Sequence, residues 1–217
     1  MAAPNASRRD FLKTTTAGIL VGGVAPAILG AEDKTGAKPK VIGVEGHLYE
    51  VHHDCMQVPS HVRWQDTHGV AVDEEGLIYV KHRTKTADVM DAVVIFDSKG
   101  KFVRSFGNEY HGGGHGIDIR KEDGQEFLYL CDNKGYIAKT TLKGEVVWKQ
   151  TAPNVDVYEG ASPFKVKTPG NYGKGRKFSP TNIAFAPDGG FYVGDGYGSD
   201  YIIRYDKDAK PTSYFGA

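Results

Sequence analysis

Three segments of this chain repeat one pattern, in which an apolar strand, a polar glycine-containing turn and a second β-rich strand follow one another. The segments begin at His68, His115 and Thr181. A single sheet built from such a unit cannot bury its own faces, so it must stack on further copies of itself. The repeat therefore predicts an all-β chain made of small stacked sheets.

Each repeated segment is followed by a hairpin that would extend its sheet to four strands. The three hairpins cover residues 93–107, 136–148 and 201–216. Radial stacking of four-stranded sheets is the architecture of a β-propeller. The 28 glycines and the 11% aromatic content suit such a fold, because it needs many tight turns. We therefore predict a β-propeller of four-stranded blades.

The chain length limits how many blades are present. A six-bladed ring needs roughly 40–50 residues per blade, which is more than the 217 residues here supply. The sequence thus predicts about three blades of a probable six, either as a truncated ring or as a half-ring that pairs with another. Truncation is the favoured interpretation, since the sequence ends where an outermost strand would finish.

The N-terminus carries the pattern of an export signal. Residues 7–13 read SRRDFLK, and an uncharged stretch from Thr14 to Gly30 follows. This arrangement matches a twin-arginine signal, and its apolar run is too short to span a bilayer. We predict a signal peptide over residues 1–31, a polar leader over 32–40 and the partial propeller over 41–217. The mature protein would be periplasmic or extracellular.

Charge and cysteine content exclude some classes of function. Lys and Arg together number 27, as do Asp and Glu, so no basic stripe for nucleic acid or for a membrane surface is expected. The expected partner is a small-molecule or peptide-like substrate, or a protein. Two cysteines, Cys55 and Cys131, are too few to indicate a disulfide framework, and their pairing stays open.

Two histidines are candidate metal ligands. His115 follows three glycines and opens a strand, and His68 holds the equivalent position one repeat earlier. Strand starts line the channel of a propeller, so a histidine there can present a ring nitrogen to a metal. A channel histidine that only binds water is the alternative for His115, and a substrate contact is the alternative for His68. Zinc needs three or four ligands, so neither residue suffices alone.

Arg83 and Tyr197 are the candidate catalytic residues. The planar guanidinium of Arg83 suits a carboxylate, although a surface ion pair with Asp88 or Asp91 would explain it equally well. Tyr197 lies between glycines and would be exposed enough to accept a proton from a hydroxyl. Packing against a neighbouring blade is the alternative role for Tyr197.

The repeats resemble NHL repeats, and the third matches best, with SPTNIAFA over residues 179–186 and GDGY over residues 194–197. A narrower resemblance is to the peptidyl-α-hydroxyglycine α-amidating lyases. These are six-bladed enzymes with zinc and calcium that release a peptide amide and glyoxylate. The family's catalytic arginine ends a strand in a His-Arg pair, and its tyrosine follows an Asp-Gly pair. The resemblance therefore implies catalytic roles for Arg83 and Tyr197.

The same resemblance implies metal sites. His115 would be one of three zinc histidines, and the backbone carbonyls of Val70 and Ile117 would reach the calcium ion. The other two zinc histidines and the acidic calcium partner would lie beyond Ala217, and Gly198 stands where the family has cysteine. Two alternatives stay open: a non-catalytic NHL propeller that binds a protein or carbohydrate, and a lactonase-type metal hydrolase.

Overall fold

A computed structural model describes residues 40–153 and 178–216 of the chain, and the described residues are almost entirely β-structure. The predicted signal peptide lies outside these residues. The chain divides into two compact units, Met1–Asp54 and Cys55–Ala217. In the first unit, β1 (Lys40–Val44) and β2 (His47–Val51) form an antiparallel hairpin. None of the described residues forms a helix with the length and apolarity that crossing a membrane requires.

The second unit contains three four-stranded antiparallel sheets, each with its strands in chain order. Sheet 1 consists of β3 (Asp66–Val72), β4 (Ile78–Arg83), β5 (Val93–Phe96) and β6 (Phe102–Phe106). Sheet 2 consists of β7 (Gly114–Glu122), β8 (Gln125–Asp132), β9 (Tyr136–Thr141) and β10 (Val146–Gln150). Sheet 3 consists of β11 (Asn182–Phe185), β12 (Phe191–Gly194), β13 (Tyr201–Tyr205) and β14 (Pro211–Gly216).

The connections between strands depend on aspartate side chains and positive-φ residues. In the β5–β6 turn, Asp97 Oδ1 accepts hydrogen bonds from the backbone N–H groups of Lys99 and Lys101, each at 2.9 Å. Gly100 closes this turn at φ 76°. An aspartate that bonds the backbone two residues ahead is a common way to stabilise such turns. The β13–β14 turn uses Asp206 in the same way.

Consecutive sheets pack face to face around two apolar cores. The side chains alternate between the two faces of each strand, so each sheet contributes one face to each neighbour. The core between sheets 1 and 2 is built mainly from Tyr79, Val93, Ile95, Ile117, Leu128 and Leu130. The core between sheets 2 and 3 is built mainly from Tyr129, Ile137, Phe191, Val193, Ile203 and Tyr205. The predicted stacking of the repeated sheets is confirmed.

The first strands of the three sheets lie close to one another because two glycines permit it. A Cβ atom on Gly69 of β3 would lie 2.9 Å from the backbone nitrogen of Ile117 in β7. A Cβ atom on Gly116 of β7 would lie 2.5 Å from the Thr181 carbonyl oxygen, and the Gly116 N–H donates to that oxygen at 2.9 Å. Each glycine directly follows a histidine, so this close approach also brings the candidate site together.

Candidate functional site

Three of the predicted site residues meet at the edge where the first strands lie side by side. The rings of His68 and His115 stack with their centroids 4.3 Å apart and an interplanar angle of 27°. The ring of Tyr197 contacts His115 edge-on, with 5.4 Å between centroids. Each of the three sheets thus supplies one ring, and we call this group the inner-edge cluster. The equivalence of His68 and His115 in the repeat is what places them together.

Both histidines lie at irregularities in their sheets. The pairing of β3 with β4 shifts between Thr67 and Gly69, and the pairing of β7 with β8 shifts between Gly114 and Ile117. An extra residue at such a bulge leaves the ladder and is re-aimed, which is why bulges recur beside functional sites. The two histidines therefore project from equivalent bulges on neighbouring sheets.

His115 has one ring nitrogen fixed by the backbone. Its Nδ1 lies 2.6 Å from the carbonyl oxygen of Thr181. A carbonyl can only accept, so Nδ1 carries the proton and Nε2 keeps its lone pair when the ring is neutral. This anchoring through the second nitrogen is the arrangement that metal-ligating histidines use. Burial lowers the pKa of His115, and the charges of Arg83 and Lys81 lower it further.

His68 is held differently. Its Nε2 is buried and has no hydrogen-bond partner among the described residues. Burial and the nearby Arg83 charge lower its pKa, while Asp66 opposes that shift. The stacked contact with His115 and the unpartnered Nε2 place His68 in the site, and both the metal-ligand and the substrate-contact interpretations of this residue stay open.

Arg83 forms an ion pair that the sequence did not indicate. Its Nε and Nη2 both donate to Asp66 Oδ2, at 3.2 and 2.8 Å. Neither Asp88 nor Asp91 is the partner. This interaction lowers the pKa of Asp66. Nη1 donates to no described residue, so one edge of the guanidinium stays available to an anion.

Lys81 is a second cation beside the cluster, and sequence reasoning missed it. The side chain is completely buried between sheets 1 and 2, where Nζ donates to the Cys131 carbonyl oxygen at 2.6 Å. Burial lowers its pKa to about 8, against the opposing effect of the Asp132 charge. The only signal in the sequence was that Lys81 directly follows two apolar residues, Tyr79 and Val80, in a predicted strand.

Tyr197 is the most accessible member of the inner-edge cluster. Its residue is 63% exposed and lies in the loop between β12 and β13. Asp195 stabilises this loop. It is fully buried, and its carboxylate accepts hydrogen bonds from the backbone N–H groups of Ser179 and Ser199 at 2.6 and 2.7 Å. These two hydrogen bonds stabilise the loop that holds Tyr197 beside His115.

Among residues 40–153 and 178–216, no group of three His, Cys, Asp or Glu side chains is arranged to hold an ion. The bond from His115 Nδ1 to the Thr181 carbonyl leaves Nε2 free to act as one ligand. Val70 and Ile117, the predicted sources of calcium-binding carbonyls, lie on β3 and β7 opposite Val80 and Leu130. The zinc and calcium predictions stay predictions. Cys55 and Cys131 are both free thiols.

The two lowered histidine pKa values predict an acid-sensitive cluster. The unfolded chain binds protons at the ordinary histidine pKa of 6.5, more readily than the folded cluster does. Stability should therefore be complete above pH 6.5 and should fall as the pH drops below it. We expect the free energy of unfolding, measured in urea at pH 7.5 and 5.5, to depend less on pH in His115→Gln. The exposed His53→Gln serves as control, and an unchanged pH dependence in His115→Gln would contradict the assignment.

Comparisons with known proteins do not assign a family. No protein-family model matches the sequence, and no curated protein matches it. Among solved structures, one similar chain is a protein of unknown function from Bacteroides caccae. It is 14% identical, with a TM-score of 0.34, and the match covers 79% of this chain. The match covers 65% of that chain, so this chain spans just under two thirds of its neighbour's length.

Proposed function

We propose that the three sheets are blades of an NHL-type β-propeller, and that the inner-edge cluster binds a small molecule bearing a carboxylate. The observation that carries this proposal is the meeting of His68, His115 and Tyr197, one from each sheet, beside Arg83 and Lys81. Arg83 pairs with Asp66 through Nε and Nη2, and its Nη1 edge is the cationic group that would receive an anion. The face-to-face stacking of equivalent sheets supports the propeller.

The reaction we propose is the lyase chemistry of the amidating lyases, which this sequence resembles. An α-hydroxyglycine-type substrate would place its carboxylate on the free edge of Arg83. Its hydroxyl would then lie toward Tyr197, which as phenolate would accept the hydroxyl proton and become a phenol. As the C–O bond becomes a carbonyl, the C–N bond breaks with its electron pair on the amide nitrogen, and that nitrogen takes the proton back from the phenol of Tyr197. The products are a primary amide and glyoxylate, so atoms and charge balance.

The metal would polarise the hydroxyl oxygen in that chemistry, and His115 Nε2 is the atom that would hold it. Since the described residues lack the remaining ligands, no step is derived through the ion. Export by the twin-arginine route is part of the same proposal, because that pathway carries folded proteins. A non-catalytic binding propeller is the second candidate, and the Arg83–Asp66 ion pair is the observation that favours it.

Binding of a simple carboxylate tests the anion site. N-acetylglycine has the amide and carboxylate of the proposed substrate but no hydroxyl, so it cannot be cleaved. We expect isothermal titration calorimetry to show saturable binding that weakens about 10- to 100-fold in Arg83→Ala, the loss typical of a charged hydrogen bond. Arg63→Ala removes an exposed arginine outside the cluster and should bind like wild type. Equal affinity in all three proteins would overturn the proposal.

A further inference from the structure

Two histidines outside the inner-edge cluster hydrogen-bond the connection that follows Arg83. This connection joins β4 to β5, and we call residues 84–91 the strap. Lys85, Asp88 and Val89 in the strap are exposed, Val89 by 68%. Since the strap buries few apolar side chains, its position depends on hydrogen bonds more than on packing.

His82 holds one end of the strap. This residue lies in β4 and is 1% exposed, and its Nε2 lies 2.8 Å from the carbonyl oxygen of Asp91. A carbonyl can only accept, so Nε2 carries the proton and Nδ1 is the unprotonated nitrogen of the neutral ring. Nδ1 is buried without a hydrogen-bond partner among the described residues, and burial lowers the pKa of His82. The ring therefore stays neutral in mild acid and keeps its bond to Asp91.

His111 holds the strap at two further points, and its protonation state is fixed by one of them. Its Nδ1 lies 3.2 Å from the backbone nitrogen of Met90, and its Nε2 lies 3.2 Å from the carbonyl oxygen of Thr86. A backbone N–H can only donate, so Nδ1 must be the acceptor and Nε2 the donor. His111 is itself anchored, since it follows the 3₁₀ turn Asn108–Tyr110 and its carbonyl oxygen accepts a hydrogen bond from Lys134 Nζ.

The bond between Met90 and His111 exists only while the ring is neutral. A proton on Nδ1 would face the Met90 N–H, and two donors cannot bond each other. The bond from Nε2 to Thr86 survives, because Nε2 is a donor in both forms of the ring. We infer that His111 is a pH-sensitive tie, whose protonation releases the strap at Met90 while Thr86 and Asp91 stay fixed. Residues 87–90 then move between these two points.

The charged groups around His111 have both signs. They belong to the strap, to the loop of His111, to β4, and to the end of β8 with the turn after it: Lys85, Asp88, Asp91, Glu109, His82, Asp132 and Lys134. The carboxylates favour protonation of His111, and the cations oppose it. Because these effects have opposite signs, the release is measured over a range of pH and not at a single value.

The release changes a cavity beside the strap. The cavity has a volume of about 290 Å³ and is lined by His61, Val62, Val89, Met90, Asp91 and Asn108. Since Met90 forms part of its wall, we expect the cavity to widen in acid. None of these residues belongs to the inner-edge cluster, so the inference does not depend on the reaction proposed above.

Amide NMR of protein labelled with ¹⁵N-methionine tests the inference, because Met90 donates the bond in question. Besides Met1 the chain contains Met56 and Met90, so two backbone amide peaks are expected, and Met56→Leu assigns them. Between pH 7.5 and 5.0 the Met90 peak should move. Its protection from exchange with water, corrected for the intrinsic effect of pH, should fall about 10-fold, the loss of one hydrogen bond. The Met56 peak should keep the position of a folded chain.

His111→Asn is the matched variant. Its side-chain oxygen can accept from Met90 in place of Nδ1 but takes up no proton in this range, so its Met90 peak should not depend on pH. His53→Gln removes an exposed histidine and should behave like wild type. A wild-type Met90 peak that keeps its position and protection down to pH 5.0, or one that changes equally in His111→Asn, would overturn the inference. A Met56 peak that moves to the position of an unfolded chain would also overturn it, because the whole chain would then be unfolding.

Discussion

Phe191→Ala is expected to lower the free energy of unfolding by about 3–5 kcal/mol, the cost of removing a large buried aromatic side chain. Phe191 is fully buried at the centre of the core between sheets 2 and 3. Its ring stacks on Tyr205, with centroids 4.9 Å apart and planes within 2°, and it also contacts Tyr129 and Trp148. These contacts join sheet 2 to sheet 3. Removing the ring therefore weakens the packing between the two sheets that carry His115 and Tyr197.

Urea unfolding followed by tryptophan fluorescence measures this effect, because Trp148 reports on the same core. Phe191→Leu keeps most of the volume and should cost less than about 1.5 kcal/mol. The exposed Val103→Ala should change stability by about 0.5 kcal/mol or less. If Phe191→Ala cost no more than Val103→Ala, sheets 2 and 3 could not share the core described above.

Lys81 is expected to make stability rise with pH in the weakly alkaline range. Burial lowers the pKa of Lys81 to about 8 in the folded protein, from 10.5 for a lysine exposed to water as in the unfolded chain. At pH 8 the unfolded chain therefore binds more protons at this group than the folded chain does. The penalty for burying the lysine, about 3 kcal/mol at neutral pH, shrinks as the pH rises from 8 toward 10.5. Between pH 8 and 9.5 the gain is about 1.5 kcal/mol.

The comparison with Lys81→Met isolates this gain. Several buried groups act in the opposite sense: burial raises the pKa of Cys131 to about 12, and it also raises the pKa values of Tyr79 and Tyr129. These groups are common to both proteins and cancel in the difference. We expect wild type to gain about 1.5 kcal/mol relative to Lys81→Met between pH 8 and 9.5 in urea titrations. Parallel pH profiles of the two proteins would show that Lys81 is not buried as a cation.

The stacked sheets could be predicted because the information lies in a repeat. The same tyrosine recurs in the second strand of each unit, at Tyr79, Tyr129 and Tyr192, and strands flanked by polar turns follow it. The equivalence of His68 and His115 was visible for the same reason. Their contact follows once neighbouring sheets pack with their first strands side by side. The repeat in the sequence therefore predicted both the stacked sheets and the pairing of His68 with His115 in the candidate site.

The hydrogen-bond and ion-pair partners of the site residues could not be predicted, because they depend on how strands pair and how sheets pack in space. Asp66 pairs with Arg83 only because β3 and β4 place these residues opposite each other at the ends of their strands. The Thr181 carbonyl reaches His115 only because sheet 3 packs on sheet 2 at that depth. The burial of Lys81 depends on how closely Gly114 lets sheet 2 approach, since a Cβ atom on that glycine would lie 3.5 Å from the lysine Cε. No local pattern encodes these distances.

Release of glyoxylate from an N-acyl-α-hydroxyglycine tests the central claim most directly. The assay compares the gene's full-length product with its Tyr197→Phe, Arg83→Ala and control Arg63→Ala variants, with zinc supplied in the buffer, because residues 40–153 and 178–216 do not supply three zinc ligands by themselves. We expect turnover by wild type and by Arg63→Ala, with kcat lowered in Tyr197→Phe and kcat/KM lowered in Arg83→Ala. Absence of glyoxylate with wild type, or equal rates in all four proteins, would contradict it.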